Sequence, residues 1–447
     1  MSRTLLLSFI VVCSTATAGT PNVLFIAVDD LNHWVGHLAR NEQTITPNLD
    51  RLASWGVSFE HAYCAAPACN PSRAALMSGM RPSTTGIYHN SNDYRPHIDS
   101  AKTLNVHFRK HGYRMIGAGK IYHGRFERRK DWDQYFKPKG VPQKGVISQS
   151  DFNGVKWSIL KGGDETVGDT QTVDFCIRQL KADHGQSLFL ACGIFRPHMP
   201  WSVPKKYYDM HPLAEIQLPP YREDDLDDIP KPGRTTARPA GDHRSIRRGM
   251  AWKQAIQAYL ASITYADAQL GRLLDALEET GRRDETVIVL WGDHGWHLGE
   301  KHHWRKFALW EEATRAPLIW VVPHVTPAGK VCSRTVDFMS IFPTLCDVTG
   351  IPKPDHLDGV SLLPLLKVPA RKWNHAALTT HGRNRHAVRT ERWRYIRYDD
   401  GSEELYDHSQ DPYEWENLAG QADYASLRQE LAKSMPVKNV PETERKK

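Results

Sequence analysis

The chain has 447 residues, with 58 Lys and Arg against 51 Asp and Glu and a formal net charge of +7. Charged residues make up 24% and hydrophobic residues 40%, which excludes a disordered polyelectrolyte and a collagen-like chain. At ~150 residues per domain this length allows up to three domains, or one large α/β domain with a deep core and a cleft.

In chain order, the N-terminus reads first as a leader. MSR is basic, TLLLSFIVVC is apolar, and Ala16-Thr17-Ala18 precede Gly19. The pattern predicts a secretory signal peptide over residues 1–18. Cys13 lacks the small-residue context of a lipid-anchor site. No later stretch approaches the ~18 consecutive apolar residues of a membrane span. The expectation is an exported protein, periplasmic or extracellular, with no membrane span. Seven cysteines occur, and removing Cys13 with the leader leaves six. Export permits disulfides. No CxxC pair occurs, which argues against a zinc ribbon, and pairing stays open.

Asn22–Val28 (NVLFIAV) is a continuous apolar run and reads as a buried parallel strand. It ends in Asp29-Asp30. Ligands of open α/β sheets bind beyond the carboxyl ends of strands, so this pair is a candidate metal site, although a solvated turn fits it too. Ser187–Cys192, Thr286–Trp291 and Pro317–Val322 read as further strands. Ile256–Leu277 and Val336–Val348 read as helices, and Pro230–Arg248, rich in Pro, Gly and Arg, as an exposed loop. Strands alternating with helices predict an α/β fold, a wound, mostly parallel sheet flanked by helices. Proline-rich Ile351–Pro369 marks a boundary. Beyond it, His375–Thr380, His386–Thr390, Trp393–Tyr398 and Glu403–Tyr406 suggest a small antiparallel sheet, closed by a helix over Ala422–Ser434. The division is thus 19–370 for a main domain and 371–447 for a C-terminal subdomain.

The strongest local signal is Cys69-Asn70-Pro71-Ser72-Arg73-Ala74-Ala75-Leu76-Met77-Ser78-Gly79. Proline near a helix start is pre-organised for the first turn. Cys69 then sits at a helix N-terminus, where backbone N–H groups favour an anion, and Arg73 lies one turn on. Those residues fit an activated thiol and equally a buried cysteine before a capped helix.

CNPSRAALMSG resembles the signature C-x-P-S-R-x-x-L-x-[ST]-G of the formylglycine-dependent sulfatases. The resemblance extends from Pro21 to about Leu418, through PNVLFIAVDDLN, GKIYH, FRPHMPW, GDHGWHLGEKHHWRK, RAPLIW and ELYDHSQDPYEWENLA. GKIYH, RPHMPW and DHGWHLGE are most similar to the iduronate-2-sulfatase branch. The resemblance implies an alkaline-phosphatase-like fold and oxidation of Cys69 to formylglycine by a formylglycine-generating or sulfatase-maturing enzyme. It implies a hydrate nucleophile, a covalent sulfo-enzyme and a sulfated sugar or polysaccharide as substrate. Asp29, Asp30, Asp293 and His294, with residue 69, match the family's metal ligands. Three carboxylates suit Ca²⁺; the histidine, where many sulfatases carry Asn, fits the iduronate branch. Lys120 and Lys306 match the sulfate-binding lysines, and His123 the base beside the hydrate. Arg73 adds a cation, and His198, held between two prolines, is the candidate acid for the leaving alcohol.

Other residues read less specifically. His297, His302 and His303 lack a standard zinc frame. His89, Asn92 and Arg95 fall where the related branch lines its substrate pocket, and Trp201 is either a sugar platform or core. The basic clusters Arg109–Lys130 and Arg234–Arg248 either steer a polyanion or form solvated faces. No nucleic-acid motif occurs. Two other functions fit parts of the pattern: a phosphonate monoester or phosphodiester hydrolase of the same superfamily, and a glycan-binding protein without activity. The second expects loss of Cys69, a metal Asp or both lysines, and none is lost.

Overall fold

A computed structural model describes residues 20–139 and 145–446; the predicted leader lies outside the described residues. The main elements are β1 (Asn22–Val28), α1 (Pro47–Trp55), β2 (Val57–Tyr63), α2 (Cys69–Ser78), β3 (Arg114–Gly119), β4 (Gln134–Phe136), α3 (Gly168–Lys181), β5 (Leu188–Ile194), α4 (Trp252–Glu279), β6 (Thr286–Gly292), β7 (Leu318–Val321), β8 (Lys330–Asp337) and α5 (Ile341–Thr349). The strands form one sheet in the order β8-β2-β7-β6-β1-β5-β3-β4. Only β7 is antiparallel to its neighbours.

Burial explains the unbroken apolar run of β1. Leu24, Ile26 and Val28 enter one core with α3 and α4, while Val23, Phe25 and Ala27 enter the other with α2 and α5. Successive side chains of a strand point to opposite faces, so a strand covered on both faces is apolar at every position. Helix α4 is longer than its expected Ile256–Leu277 and is buried along most of its length.

C-terminal to this layer, β9 (Ala377–Thr380), β10 (His386–Arg389), β11 (Trp393–Arg397) and β12 (Glu403–Asp407) form an antiparallel meander. Helix α6 (Ala425–Ala432) packs on it through Leu431. The meander meets the main layer at Leu309, Trp310 and Ala313. Across this seam Arg394 is fully buried and paired with Glu311 and Glu414.

Two expectations are corrected. Pro230–Arg248 is not a loop: helices run over Lys231–Ala237 and Asp242–Arg248, with Gly233, Ala237, His243 and Ile246 buried. Tertiary burial outweighs the loop-like composition there. Val336 and Asp337 end a strand, and the helix starts only at Ile341, after a short 3-10 turn. All six described cysteines are buried and unpaired.

Candidate active site

Strand register assembles the site. Val28 of β1 lies beside Gly292 of β6 and Ile194 of β5. Gly119 of β3 lies beside Gly193 of β5. Asp29-Asp30, Asp293-His294, Lys120 and the Phe195–His198 segment therefore leave the sheet at one edge, the carboxyl ends of parallel strands. The Gly119–Gly193 pair is needed for this. A Cβ at Gly119, which sits at φ +69, would strike the Gly193 carbonyl, and one at Gly193 would strike the Lys120 backbone.

Helix α2 delivers Cys69 to the same edge. Its N-cap Ala68 is extended, and Gly79 closes it in the left-handed conformation at φ 70, the usual glycine cap. All ten residues of α2 are buried. Lys306 Nζ donates to Cys69 Sγ at 2.9 Å, and Lys120 Nζ lies 3.7 Å from it. His294 Nε2 is at 3.5 Å and Asp30 Oδ1 at 3.8 Å. Burial pushes the Cys69 thiol up, but Lys120, Lys306 and hydrogen bonds from His123 and His198 together hold it well below its ordinary value.

The carboxylates are fully buried. Lys306 Nζ lies 2.5 Å from Asp30 Oδ1, and Lys120 pairs with Asp29. Burial and Cys69 raise the Asp29 carboxyl, yet Lys120, His198 and Arg73 outweigh them and lower it. Asp30 has φ 59, an uncommon backbone for a non-glycine residue. It is held there by its N–H on Asp293 Oδ1 (2.9 Å) and by the Tyr259 hydroxyl on its carbonyl (2.7 Å).

Arg73 is also fully buried. Its guanidinium donates to Asp293 Oδ2 at 2.9 Å, Asp29 Oδ1 at 3.2 Å and the Lys120 and Ile121 carbonyls. It orders the acids rather than reaching residue 69, which narrows the role expected for it.

This donor set fits a hard cation. Asp29, Asp30, Cys69, Asp293 and His294 each place one ligand atom within 4.8 Å of the others. Asp30 Oδ2 is buried without a hydrogen-bond partner. His294 Nδ1 faces the Gly295 carbonyl at 3.0 Å, so it carries a proton. Nε2 then faces Asp30 Oδ1 at 3.4 Å and Asp293 Oδ2 at 3.5 Å. Either a proton on Nε2 or a cation beside it satisfies two carboxylates there. Burial lowers the His294 imidazole, but Asp293 overrides it and raises it. Three carboxylates match the oxygen preference of Ca²⁺.

His198 Nε2 lies 4.0 Å from Asp29 and 3.9 Å from Asp30, with Nδ1 on the Met199 carbonyl at 2.6 Å. His123, Lys120 and His198 line one cavity of about 440 Å³, which Phe195 and Asp169 also border. The expected site residues thus converge.

Several others do not contact the centre. Trp201 is fully buried against Tyr259, Trp296 and Trp157, so it is core and not a sugar platform. Asn92 is buried and spends its amide on backbone and on the Glu442 carboxylate, and Arg95 is paired with Asp93. His303 sets its two ring nitrogens 3.0 and 2.8 Å from the Ala237 and Lys306 carbonyls, to one of which the neutral ring donates, in the turn presenting Lys306. His297 is buried with Nδ1 at the Glu300 carbonyl, and His302 packs in a three-ring cluster with Tyr221 and His243.

Three supporting residues escaped the sequence reading. Ser72 bonds the Asp293 carbonyl at 2.5 Å. Tyr259 holds Asp30 as above. Asp169 accepts the Phe195 and Arg196 N–H groups at 2.6 and 3.0 Å, which orients the His198 segment. Ser72 lies inside the signature and was findable; Tyr259 and Asp169 carry no local signal.

Comparison with known proteins agrees with this geometry. The sulfatase family model matches residues 21–351, and the model described as N-sulphoglucosamine sulphohydrolase, C-terminal, matches 299–440. A sulfatase of Formosa agariphila is 39% identical over 448 residues, covering 94% of this chain and 87% of that protein. Human iduronate 2-sulfatase is 28% identical over 391 residues, covering 76% of this chain and 71% of its own. Among solved structures, the phosphonate monoester hydrolase of Agrobacterium radiobacter superposes with a TM-score of 0.79 at 23% identity, covering 92% of this chain and 94% of that one. The chain belongs to the sulfatase family and has its alkaline-phosphatase-like fold.

Proposed function

We propose that this sulfatase removes O-sulfate from a sulfated sugar or polysaccharide, with residue 69 as formylglycine and Ca²⁺ on Asp29, Asp30, Asp293 and His294. The observation that carries the reading is the meeting of two ammonium groups, three histidines and three carboxylates at the Cys69 side chain. A sulfate ester resists attack because its oxygens repel nucleophiles, so cations must gather around it. As formylglycine, residue 69 supplies a hydrated aldehyde, one hydroxyl to attack sulfur and a second whose deprotonation restores the aldehyde. When bound, Ca²⁺ supplies further positive charge to the sulfate oxygens.

The remaining work falls to this chain's residues. Lys120 and Lys306 bind and orient the sulfate. His198 gives a proton to the departing sugar oxygen. His123 takes the proton from the second hydroxyl. Arg73 holds Asp29 and Asp293 in place. The proposal includes a formylglycine-generating or sulfatase-maturing enzyme as a partner, a leader over 1–18, export to the periplasm or exterior, and units at 19–370 and 371–447. Among the described residues no helix is long and apolar enough to cross a membrane.

The test is parallel kinetics on 4-nitrophenyl sulfate, an aryl phosphodiester and an aryl phosphonate monoester, with ion chromatography of sulfate released from sulfated oligosaccharides. The reading predicts sulfate preference and free sulfate. Preference for the phosphorus esters would assign the shared fold to phosphonate or phosphodiester hydrolysis. Saturable glycan binding without sulfate release would make it a binding protein.

A further inference from the structure

The acidic and imidazole ligands stand on separate loops, Asp29-Asp30 on the one leaving β1 and Asp293-His294 on the one leaving β6. Gly292 lets these loops meet, since a Cβ there would stand 2.6 Å from the Leu31 carbonyl. Behind the ligands, the side chain of Asn32, which closes the run Asp29-Asp30-Leu31-Asn32, joins the two. Its Nδ2 donates to the Trp296 carbonyl of the second loop at 3.2 Å, and its Oδ1 accepts the Trp34 N–H of its own loop at 3.0 Å. Asn32 is fully buried, so both bonds are made out of reach of solvent.

Tyr259 of α4, also fully buried, meets both loops and a third. Its ring packs edge-on against Trp34 of the first loop at 6.3 Å and lies nearly parallel to Trp296 of the second at 6.5 Å. Trp201, just beyond His198, meets it edge-on at 5.4 Å. A buried tyrosine needs a partner for its hydroxyl, and this one has two. Oη donates to the Asp30 carbonyl at 2.7 Å and accepts the Asn32 N–H at 3.0 Å. The two bonds bracket Leu31 and brace the left-handed backbone of Asp30, at φ 59. Without them that backbone is free to relax toward the commoner right-handed or extended regions, which would turn the Asp30 carboxylate away from Asp293 and His294.

We propose that Tyr259 and Asn32 form a clamp that keeps the two ligand loops in register, and that they are positioning residues which set how tightly the site holds its divalent cation. The inference rests on the Ca²⁺ site of the function proposed above. Neither side chain is a ligand. Tyr259 acts through the Asp30 backbone, and Asn32 through the tie between the Asp30 loop and the loop carrying Asp293 and His294. Groups that orient metal ligands in this way are typically worth about ten- to hundredfold in affinity.

The experiment measures Ca²⁺ affinity of the full chain, stripped with EGTA and titrated in competition with a chromophoric chelator, for wild type, Y259F and N32A. Phe keeps the ring among its three tryptophans and removes only the hydroxyl. Urea unfolding is run alongside, with L431A in α6 as a control that loosens a core remote from the site. A chain that stays folded through the titration keeps its Kd whatever its global stability, so a merely structural role would not move this readout. Y259F is expected to raise Kd about ten- to hundredfold and N32A about tenfold, while L431A stays within about twofold of wild type. A Kd within about twofold of wild type in either folded variant overturns the clamp, as does an equal rise in L431A. Failure of both variants to fold assigns the two residues to the core and overturns it as well. Wild-type protein that binds no Ca²⁺ overturns the metal reading, and the inference with it. Wild-type protein that binds Ca²⁺ but releases no sulfate overturns the sulfatase reading alone, and the affinities still decide the clamp.

Discussion

Lys306 offers the sharpest single perturbation. Its Nζ lies 2.9 Å from Cys69 Sγ and 2.5 Å from Asp30 Oδ1, and its cation sits over the Trp296 and Phe307 rings at 5.3 and 5.8 Å. Lys306→Met keeps the apolar stem against those rings and removes only the charge. At a separation near 2.9 Å and an effective dielectric of ~20, one ammonium acting on one negative charge is worth about 6 kcal/mol. A sulfate ester already carries charge in the ground state, so part of that energy is uniform binding and does not raise kcat. The expectation is a fall in kcat/KM of about 10³-fold, close to 4 kcal/mol at 1.36 kcal/mol per decade, with kcat down about 10²-fold. The assay is initial rates on 4-nitrophenyl sulfate, with calcium content and thermal stability measured on the same sample. A variant within tenfold of wild type in kcat/KM, with calcium and fold intact, refutes the placing of Lys306 on the sulfate.

Three further outcomes follow from the same geometry. Removing metal with EGTA should abolish turnover and lower the melting temperature, and added Ca²⁺ should reverse both, with about 2.7 kcal/mol of stabilisation at a hundredfold excess over Kd; full activity in verified metal-free protein counts against the site. His198→Ala should slow a sugar sulfate by about 10²–10⁴-fold but 4-nitrophenyl sulfate far less, because nitrophenolate departs without a proton; equal slowing of both removes the acid role. Arg394→Leu should destabilise the fold by about 1.5–3 kcal/mol in urea unfolding, the scale of lost hydrogen bonds to a charged group, since Glu311 keeps Arg389 and Arg315 and Glu414 keeps His408; a change under 1 kcal/mol contradicts a stabilising seam.

Much of the site was legible because its signals are local. The β1 run is apolar throughout since both faces are covered, and the carboxylates that follow it mark a strand end. Lys120 and Asp293-His294 follow strands in the same way, and the register of β1, β5, β6 and β3 then brings them together. Features set by distant contacts were not legible. Trp201 resembles a sugar platform beside His198, yet its burial is decided by Tyr259 and Trp296, far off in sequence. The 230–248 segment is helical because Ala237 and Ile246 find buried seats, not because of its composition. Arg73 carries the right charge in the right motif, but only its hydrogen bonds reveal that it serves the acids. The pairing of residues 440–446 with the loop after α2 runs largely through backbone hydrogen bonds, which leave no pattern in side chains.

The central claim is that a thiol encoded at position 69 is exchanged for an aldehyde and that this group performs the desulfation. Mass spectrometry of the peptide containing residue 69, taken on fractions whose sulfate release is measured by ion chromatography, tests it most directly. Turnover is predicted to track the fraction of peptide bearing the aldehyde and to vanish in Cys69→Ala. Full turnover from protein with an intact thiol at residue 69, or from Cys69→Ala, contradicts the account.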